Sequence, residues 1–372
     1  MSDRQLLIEL AADRGNPERV SIRSARPVHA ARIFAKRPVS EVSDLLPRLF
    51  SVCGIAQASA SRDALAAATG RRNEDLSGAD DRLLVLMETA REHLWRVLID
   101  WPAFTGSEID DSSAREMQLL LPRLQSADGE SQGSLTALEA LLHSAVFGIP
   151  VEEWLTIATA ADLRAWADGQ ATGAARLLAK VFERDWSGVG ATPVSFLPEL
   201  TDAEFEQRLA ADDADDFIAA PQWLDRPCET TPLSRTRDAA LIRALQADVG
   251  AGLITRLTAL LVELASVPAG MREIVAETIG KRTDDKAELP ANTGIGQVDA
   301  ARGRLVHRAI VDGDQVSTYQ ILAPTEWNFH PRGVLATSLN ALDATNIDTL
   351  TEQASLLITA IDPCVGYELR IH

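Results

Sequence analysis

The three cysteines of this 372-residue sequence are its clearest candidates for chemistry, because a thiolate sulfur binds transition metals and acts as a nucleophile. Cys53, Cys228 and Cys364 are odd in number and far apart, which argues against a disulfide framework. Cys364 follows Asp362-Pro363 close to the last residue, a position that favours a metal ligand over a core residue. Cys53 lies among alanines and leucines, where a cysteine also serves as a small buried hydrophobe, so its surroundings leave both roles open.

Other reactive side chains form less specific patterns. His93, His143, His307 and His330 have no histidine four residues away and no zinc-binding spacing. Serine and histidine residues are too scattered to indicate a hydrolase triad. These residues therefore predict neither a zinc site nor a triad.

The acidic composition restricts the kinds of partner. Lys and Arg total 36 against 54 Asp and Glu, which gives a formal net charge of −18 and disfavours binding to nucleic acid and to anionic membranes. The first ten residues contain Asp3, Arg4 and Glu9 and lack the pattern of a signal peptide. No uninterrupted apolar run reaches the roughly 18 residues of a membrane span. We therefore expect a cytoplasmic protein with reduced thiols.

Hydrophobic periodicity predicts a mainly α-helical protein with small β hairpins, which is an α+β class. Apolar residues three and four positions apart predict helices at 44–70, 79–100, 134–146, 172–182, 234–245, 251–264, 331–342 and 348–360. Asp312-Gly313 between two β-prone runs predicts a hairpin of residues 305–311 and 316–322. Gly15-Asn16-Pro17 predicts the turn of a second hairpin near the N-terminus.

Two stretches interrupt the helical pattern. Residues 103–133 are rich in Ser, Asp and Gly around a short amphipathic segment, and residues 185–227 are acidic and contain proline. We interpret both as flexible excursions from a single domain that spans residues 1–372.

The segment 362–372 resembles the C-terminal metal-binding motif DPCxxCxxH of nickel-iron hydrogenase large subunits. Cys364 matches the first cysteine of that motif. Tyr367 stands at the position of the second cysteine and Arg370 at that of the histidine. The segment therefore keeps the frame of the motif with one of its two thiols.

Residues 48–57 resemble the N-terminal motif RxCGxCxxxH of the same family. Arg48 and Cys53 match, whereas Phe50 replaces the first cysteine, Ser51 the glycine and Gln57 the histidine. Here too, one thiol of two is retained.

Two further segments extend the resemblance, in the family's order along the chain. Residues 227–235 are similar to the family segment PxExGPLAR. Residues 301–307 are similar to PRGxxxH, and residues 323–328 to VPTTWN. Cys228 has no counterpart in these motifs, which favours a structural role for it.

The resemblance implies a fold like that of a nickel-iron hydrogenase large subunit and assigns roles to four residues. In the family, four thiolates hold nickel, and two of them bridge to an iron that carries carbonyl and cyanide. Cys53 matches a bridging cysteine and Cys364 a terminal one. Arg302 matches an arginine over the cyanide ligands, and Thr325 a residue that donates a hydrogen bond to cyanide. Two thiolates that share one metal at bonds of about 2.3 Å should have their sulfur atoms within roughly 3–7 Å.

The surroundings of this site are assigned with less detail. Tyr367 and Gln57 are expected close to the metal without binding it, and His372 is a further possible ligand through its imidazole or its carboxylate. Glu229 and Arg235 are expected to be structural.

The sequence is identified as a member of the hydrogenase expression/formation branch, known as HupK or HoxV. Two motif thiols are missing, and the given sequence has no tail beyond His372. The resemblance implies a maturation scaffold with no catalytic residues, which binds iron with cyanide and carbonyl ligands and no nickel. It implies as partners a small chaperone of the HypC/HupF type, an iron-handling protein of the HypD type and the hydrogenase large subunit precursor, and neither nucleic acid nor membrane.

Two other functions stay open at this point. One is a metal-free adaptor for maturation factors. The other is a degenerate redox enzyme that uses a reduced version of the site.

Overall fold

α-Helices form most of the fold, and the computed structural model describes residues 4–12, 19–25, 28–50, 52–70, 78–125, 131–277 and 289–372. The α-helices are α1 (Val39–Leu49), α2 (Gly54–Thr69), α3 (Gly78–Trp95), α4 (Pro102–Thr105), α5 (Asp111–Gln125), α6 (Ser131–Leu141), α7 (Val151–Trp154), α8 (Ala160–Gly169), α9 (Gly173–Glu183), α10 (Asp202–Leu209), α11 (Ala214–Ala219), α12 (Pro232–Thr236), α13 (Ala240–Val249), α14 (Leu253–Glu277), α15 (Pro324–Asn328), α16 (Val334–Asn340) and α17 (Ile347–Ile361). The strands are β1 (Arg4–Leu10), β2 (Val20–Ser24), β3 (Gln222–Trp223), β4 (Arg226–Pro227), β5 (Thr293–Ala300), β6 (Gly303–Asp312), β7 (Gln315–Leu322) and β8 (Gly366–Ile371). A 3-10 helix covers Val28–Phe34, and π-helical turns cover Arg96–Asp100 and Leu142–Phe147. The predicted class, mainly α with small β hairpins, is confirmed.

Strands from both ends of the sequence share one sheet, in the order β2-β1-β8. β1 pairs antiparallel with β2, which confirms the N-terminal hairpin, although its predicted turn at 15–17 lies outside the described residues. β1 also pairs in parallel with β8, so that Leu6 lies beside Tyr367. Leu6, Ile8 and Leu10 are buried, as expected for alternate residues on one face of a strand. The sheet therefore anchors the segment that follows Cys364 against the N-terminal strand.

The second sheet, in the order β5-β6-β7, lies directly under α2. β6 and β7 form the predicted hairpin at Asp312-Gly313, and β5, which the sequence pattern did not predict, pairs antiparallel with β6. Gly294 and Gly296 of β5 allow the backbone of α2 to approach closely. A Cβ at Gly296 would lie 2.0 Å from the Ala60 carbonyl oxygen. Only residues without a side chain at these positions permit this helix–sheet distance.

α14 contributes to the largest hydrophobic cluster of the protein. Its segment Leu253–Ala276 is long and apolar enough to cross a membrane, but 78% of its most apolar window is buried inside the protein. Helices of a protein core commonly pass the same test, so this helix is weak evidence for a membrane span. The sequence prediction concerned uninterrupted apolar runs, and it holds for them because Arg256 and Glu263 interrupt the apolar sequence of α14.

The helix predicted over residues 44–70 is wrong in one respect, because it is two helices. α1 ends at Leu49 and α2 begins at Gly54. Phe50 between them is extended, and Cys53 has a left-handed backbone with φ 55° and ψ 32°. Left-handed conformations are uncommon and strained for residues other than glycine, so helical periodicity could not reveal this break.

Most other predicted helices are present with shifted bounds. The predictions at 79–100, 134–146, 172–182, 331–342 and 348–360 correspond to α3, α6, α9, α16 and α17. The helix predicted at 234–245 is interrupted between α12 and α13, and α14 extends well past the predicted 251–264.

The two stretches interpreted as excursions contain regular structure where the structure describes them. Residues 103–125 include α5, and residues 185–227 include α10, α11, β3 and β4. Arg308 of β6 donates hydrogen bonds of 2.6 and 2.7 Å to Glu206 of α10, and both side chains are largely buried. Residues 185–227 thus contain regular structure, and one of their acidic residues pairs with the sheet, while the flexibility of both stretches stays a prediction. The single domain over residues 1–372 stays a prediction.

Candidate metal-binding site

Cys53 lies at the start of α2, where a carboxylate from α3 fixes the end of the helix. Glu88 accepts hydrogen bonds from the backbone N–H groups of Ile55 and Ala56, each at 2.9 Å. These N–H groups have no partner within the helix, so the carboxylate caps them. Burial raises the pKa of Glu88, and the two backbone hydrogen bonds lower it by less. Cys53 itself is 5% exposed and thus held in a fixed, nearly dry position.

Arg302 lies in the turn between β5 and β6 and contacts three site residues. Its Nη1 donates a hydrogen bond of 2.9 Å to Glu92 Oε2 and lies 3.4 Å from Cys53 Sγ. Its Nε lies 3.2 Å from Asp362 Oδ2 in an ion pair that lacks the alignment of a hydrogen bond. Burial lowers the pKa of Arg302, but the charge of Asp362, followed by those of Cys53 and Glu92, raises it well above its ordinary value. The side chain is therefore a permanent cation in a buried position.

Thr325 and Cys364 form a second contact at the site. Thr325 Oγ1 lies 2.7 Å from Cys364 Sγ and accepts a 3.3 Å hydrogen bond from the Cys364 backbone N–H. Thr325 is buried and Cys364 is half-buried. Asp362, with a left-handed φ of 59°, ends α17 two residues earlier. The residue that ion-pairs with Arg302 is thus joined to Cys364 by one intervening proline.

The two contacts influence one another electrostatically. Burial raises the pKa of the Cys53 thiol to about 12, Arg302 lowers it, and the negative charges of Glu88, Glu92 and Cys364 raise it. Cys364 also raises the pKa of Arg302. Of the two cysteines, Cys53 contacts Arg302 directly, and Cys364 is linked to it through Asp362 of the same segment. The separation of their sulfur atoms stays a prediction.

Buried hydrogen bonds hold the Arg302 turn in place. Asn328 Nδ2 donates to the Arg302 carbonyl oxygen at 2.9 Å, and Asn328 Oδ1 accepts from the Thr230 N–H at 2.8 Å. Thr230 Oγ1 accepts from the Arg304 N–H at 2.9 Å. Gly303 has φ 131°, and a Cβ there would lie 1.9 Å from the Thr230 carbonyl oxygen. Segments 227–235, 301–307 and 323–328, which carry the family motifs, therefore interlock at this turn.

Three carboxylates of the site were not among the predicted site residues. Glu88 and Glu92 lie one turn apart on α3, and Asp362 belongs to the C-terminal motif. Burial raises the pKa of Glu92, but Arg302 and then Arg91 outweigh this effect and leave it below its ordinary value. The four-residue spacing of Glu88 and Glu92 beside the apolar stripe of α3 was the signal that could have indicated them.

Gln57 and Tyr367 lie in the surroundings of the site. Gln57 Oε1 lies 2.8 Å from His307 Nε2, and His307 Nδ1 lies 2.8 Å from the Tyr319 hydroxyl. This chain of contacts joins α2 to β6 and β7 and gives the buried Gln57 side chain a hydrogen-bond partner. Tyr367 lies on β8, where burial raises its pKa and a hydrogen bond with Thr359, followed by the positive charge of Arg96, lowers it by less.

His372 lies away from the site, so its predicted closeness to a metal is corrected. Its backbone forms hydrogen bonds with Leu10 and Ala12 beyond the end of β8. Its side chain is 61% exposed, with Nε2 4.0 Å from Glu9 Oε1. A strand advances about 3.3 Å per residue, so β8 carries His372 roughly 20 Å from Gly366. The extended strand, which the sequence did not predict, is the reason.

Glu229 forms a buried ion pair and Arg235 a partly buried one, in keeping with their predicted structural roles. Arg256 Nη2 donates to Glu229 Oε2 at 3.1 Å, and both side chains are buried. Arg235 Nη2 donates to Glu263 Oε2 at 2.7 Å. Burial raises the pKa of Glu263, but Arg235 outweighs it and brings that pKa to about 2. Cys228 is buried at 4% exposure beside a backbone carbonyl 3.5 Å away and contacts neither of the other cysteines in the described structure.

The donor set fits a metal that brings ligands of its own. Within the described ranges, no group of three or more His, Cys, Asp and Glu side chains is arranged to hold a metal ion. The candidate site instead combines Cys53 beside Arg302, whose buried Nε has no aligned acceptor, with Cys364 beside the Thr325 hydroxyl. Such a region can bind a metal through sulfur and donate hydrogen bonds to anionic ligands on that metal.

Comparisons with known proteins agree with the resemblance. Residues 236–366 match the nickel-dependent hydrogenase family. The hydrogenase expression/formation protein HoxV of Cupriavidus necator is 30% identical, over 94% of this chain and 92% of its own length. HupK of Bradyrhizobium diazoefficiens, also named a hydrogenase expression/formation protein, is 30% identical over 91% of this chain and 88% of its own.

Solved structures confirm the large-subunit fold. The nickel-iron-selenium hydrogenase of D. vulgaris Hildenborough in the reduced state superposes with a TM-score of 0.59 over 93% of this chain and 92% of that chain. The sequence identity in this comparison is 17%, so it speaks for the fold alone. The 30% identity to HoxV and HupK over almost the whole length shows the family as well as the fold. The chain therefore belongs to the hydrogenase expression/formation proteins of the HoxV and HupK family.

Proposed function

We propose that this protein is a non-catalytic scaffold for hydrogenase maturation, which holds an iron with cyanide and carbonyl ligands before that group passes to the hydrogenase large subunit precursor. The observation that carries the proposal is that Arg302 contacts Cys53 and also ion-pairs with Asp362, which lies two residues before Cys364 and more than 300 residues after Cys53. In this proposal the iron group is cargo, and the two thiolates are its ligands from the protein.

The electrostatics of the site suit such a cargo. Cys53, with a pKa of about 12, is protonated at neutral pH, so a metal that binds it must displace the proton. Arg302 compensates the resulting thiolate charge at 3.4 Å. Cyanide nitrogen is a strong acceptor, and the buried Arg302 Nε without an aligned acceptor is a suitable donor to it.

The same site lacks the ligands that turnover of hydrogen would need. Nickel in the hydrogenase family is held by four thiolates, and Phe50 and Tyr367 stand at two of those positions. Neither side chain replaces a thiolate as a soft ligand. We therefore propose that the cargo contains iron and no nickel, and that it departs from the protein without chemical change.

The partners in this proposal follow from the transfer of the iron group. A small chaperone of the HypC/HupF type and an iron-handling protein of the HypD type would deliver it, and the large subunit precursor would receive it. All of these steps would take place in the cytoplasm.

Infrared spectroscopy of protein purified without oxygen from a host with active maturation factors tests the proposal. We expect carbonyl and cyanide bands in the wild type. Cys53→Ser and Cys364→Ser should each abolish the bands while the protein stays folded, because a serine hydroxyl is a far poorer ligand than a thiolate.

Cys228→Ser is the matched control and should keep the wild-type bands, since Cys228 has no contact with the site in the described structure. Bands that persist in both site variants would exclude the cysteines as ligands. A wild type that supports maturation without any iron or bands would instead favour a metal-free adaptor.

A further inference from the structure

A cavity of about 190 Å³ opens on the protein surface, and neither Cys53 nor Cys364 lines it. Three parts of the chain line it: residues 193–195, residues 226–229 from β4 onward, and residues 332–337 at the start of α16. Its polar lining residues are Ser195, Arg226, Glu229, Arg332 and Thr337. Cavities for larger organic ligands span about 300–1,000 Å³, so this one suits a small group.

Two arginines at this cavity have no carboxylate partner. Most arginines of the described structure lie in ion pairs, as expected in a chain with 54 acidic and 36 basic residues. Arg226 and Arg332 form no ion pair within the described residues, and both residues are exposed. Two guanidinium groups beside one cavity repel each other unless an anion lies between them.

Glu229 does not compensate this positive charge. Its carboxylate is fully buried and already bonded to both terminal nitrogens of Arg256 and to the Thr231 hydroxyl. The cavity therefore has a net charge of about +2 from Arg226 and Arg332 at neutral pH.

The backbone that carries Arg226 is held in a strained turn. Leu224 and Asp225 connect β3 to β4 with φ of 50° and 60°. A two-residue hairpin with both residues left-handed usually contains Asn and Gly, and neither residue here is glycine. The turn fixes the register in which Arg226 pairs with Trp223, and this pairing sets the backbone position of Arg226.

We propose that this cavity binds a compact dianion of the phosphate type. A phosphate group carries about −1.5 to −2 charge at pH 7, which matches two guanidinium groups, and guanidinium is a favoured partner of phosphate oxygens. Ser195, another lining residue, has a hydroxyl that can donate to the anion. Anion binding here does not depend on iron, because neither Cys53 nor Cys364 lines the cavity.

Isothermal titration calorimetry with inorganic phosphate at fixed ionic strength tests this site. We expect saturable binding to the wild type with one site per chain. Arg226→Gln and Arg332→Gln should each weaken it at least about tenfold, the effect of losing one charge-assisted contact. Both side chains are exposed, so circular dichroism should show folded variants.

Arg243→Gln provides the control, because it removes the same charge from another exposed arginine that has no ion pair in the described structure. It should bind phosphate within about twofold of the wild type. Glycerol phosphate and succinate distinguish the source of the anion. Binding of glycerol phosphate as well as of free phosphate supports a site open to esterified phosphate.

Three outcomes would overturn the proposal. They are no binding of phosphate by the wild type at about 10 mM, phosphate binding by the Arg226 or Arg332 variant equal to that of the wild type, and binding of succinate tighter than that of phosphate.

Discussion

The guanidinium of Arg302 connects residues from three distant parts of the sequence. It contacts Cys53 near the N-terminus, Glu92 on α3 and Asp362 beside Cys364. A buried cation between two carboxylates, Glu92 and Asp362, is fixed in orientation, since each carboxylate would be costly to leave unpaired. At the scale of single residues, the site is therefore prearranged by ion pairs that exist without cargo.

His307 offers a test of how the surroundings of the site depend on pH. Burial lowers its pKa to about 3 from an ordinary value of 6.5. The unfolded chain therefore binds a proton between pH 6.5 and 3 that the folded chain does not, so stability falls as pH decreases through this range by up to about 1.4 kcal/mol per pH unit.

Urea unfolding at pH 7 and pH 5 should show this loss in the wild type and a smaller loss in His307→Gln. His143→Gln, a change at an exposed histidine, should keep the wild-type pH dependence. An unchanged pH dependence in His307→Gln would mean that His307 is not held neutral.

At the scale of secondary-structure elements, the break between α1 and α2 creates the position of Cys53. α2 begins where α1 has ended, and its first residues lie under the Glu88 carboxylate. Gly294 and Gly296 then allow α2 to lie on β5. The helix is thus fixed at its start by a charge and along its length by close packing.

Gly296→Ala should destabilise the protein and displace α2. Its Cβ would lie 2.0 Å from the Ala60 carbonyl oxygen and 2.8 Å from the Ala64 nitrogen, so backbone must move. We expect a loss of about 1–3 kcal/mol in the free energy of unfolding, measured by urea denaturation. Gly169→Ala, where a Cβ meets no atom within 4 Å, should change stability by less than about 0.5 kcal/mol. Equal stability of the two variants would contradict the close packing of α2 on β5.

Elements with local signals could be predicted from the sequence, and elements that depend on distant residues could not. The β6–β7 hairpin follows from Asp312-Gly313, and α9 from its apolar spacing and Thr172 cap. β8 pairs in parallel with β1 across almost the entire chain, and no local pattern encodes such a partner. Among site residues, the motifs indicated Cys53, Cys364, Arg302 and Thr325, whereas the spacing of Glu88 and Glu92 on α3 does not show what their carboxylates bind, which their hydrogen bonds do.

At the scale of the whole molecule, the chain keeps a hydrogenase large-subunit fold around an altered set of motif residues. The fold is matched by a nickel-iron-selenium hydrogenase with a TM-score of 0.59 at 17% identity. Phe50 and Tyr367 stand where the family motifs have cysteines, while buried hydrogen bonds hold the Arg302 turn in place. Fold and turn can persist without four thiolates because helix packing, the sheets and ion pairs hold them.

The loss of two thiolates predicts that the purified protein neither holds stoichiometric nickel nor oxidises hydrogen. Two soft ligands are too few to define a nickel site like that of the family. Elemental analysis after growth with nickel, together with a hydrogen-uptake assay, checks this expectation, with a nickel-iron hydrogenase treated in the same way as the control. One nickel per chain, or hydrogen uptake above background, would support the degenerate redox enzyme instead.

The central claim is that Cys53 and Cys364 bind the same iron atom. Iron X-ray absorption spectroscopy of the loaded protein measures the sulfur ligands directly. We predict two sulfur neighbours at about 2.3 Å in the wild type and in Cys228→Ser, and loss of the bound iron or of one sulfur neighbour in Cys53→Ser and in Cys364→Ser. An iron with no sulfur neighbour in the wild type, or an unchanged sulfur count in either of those two variants, would contradict the account.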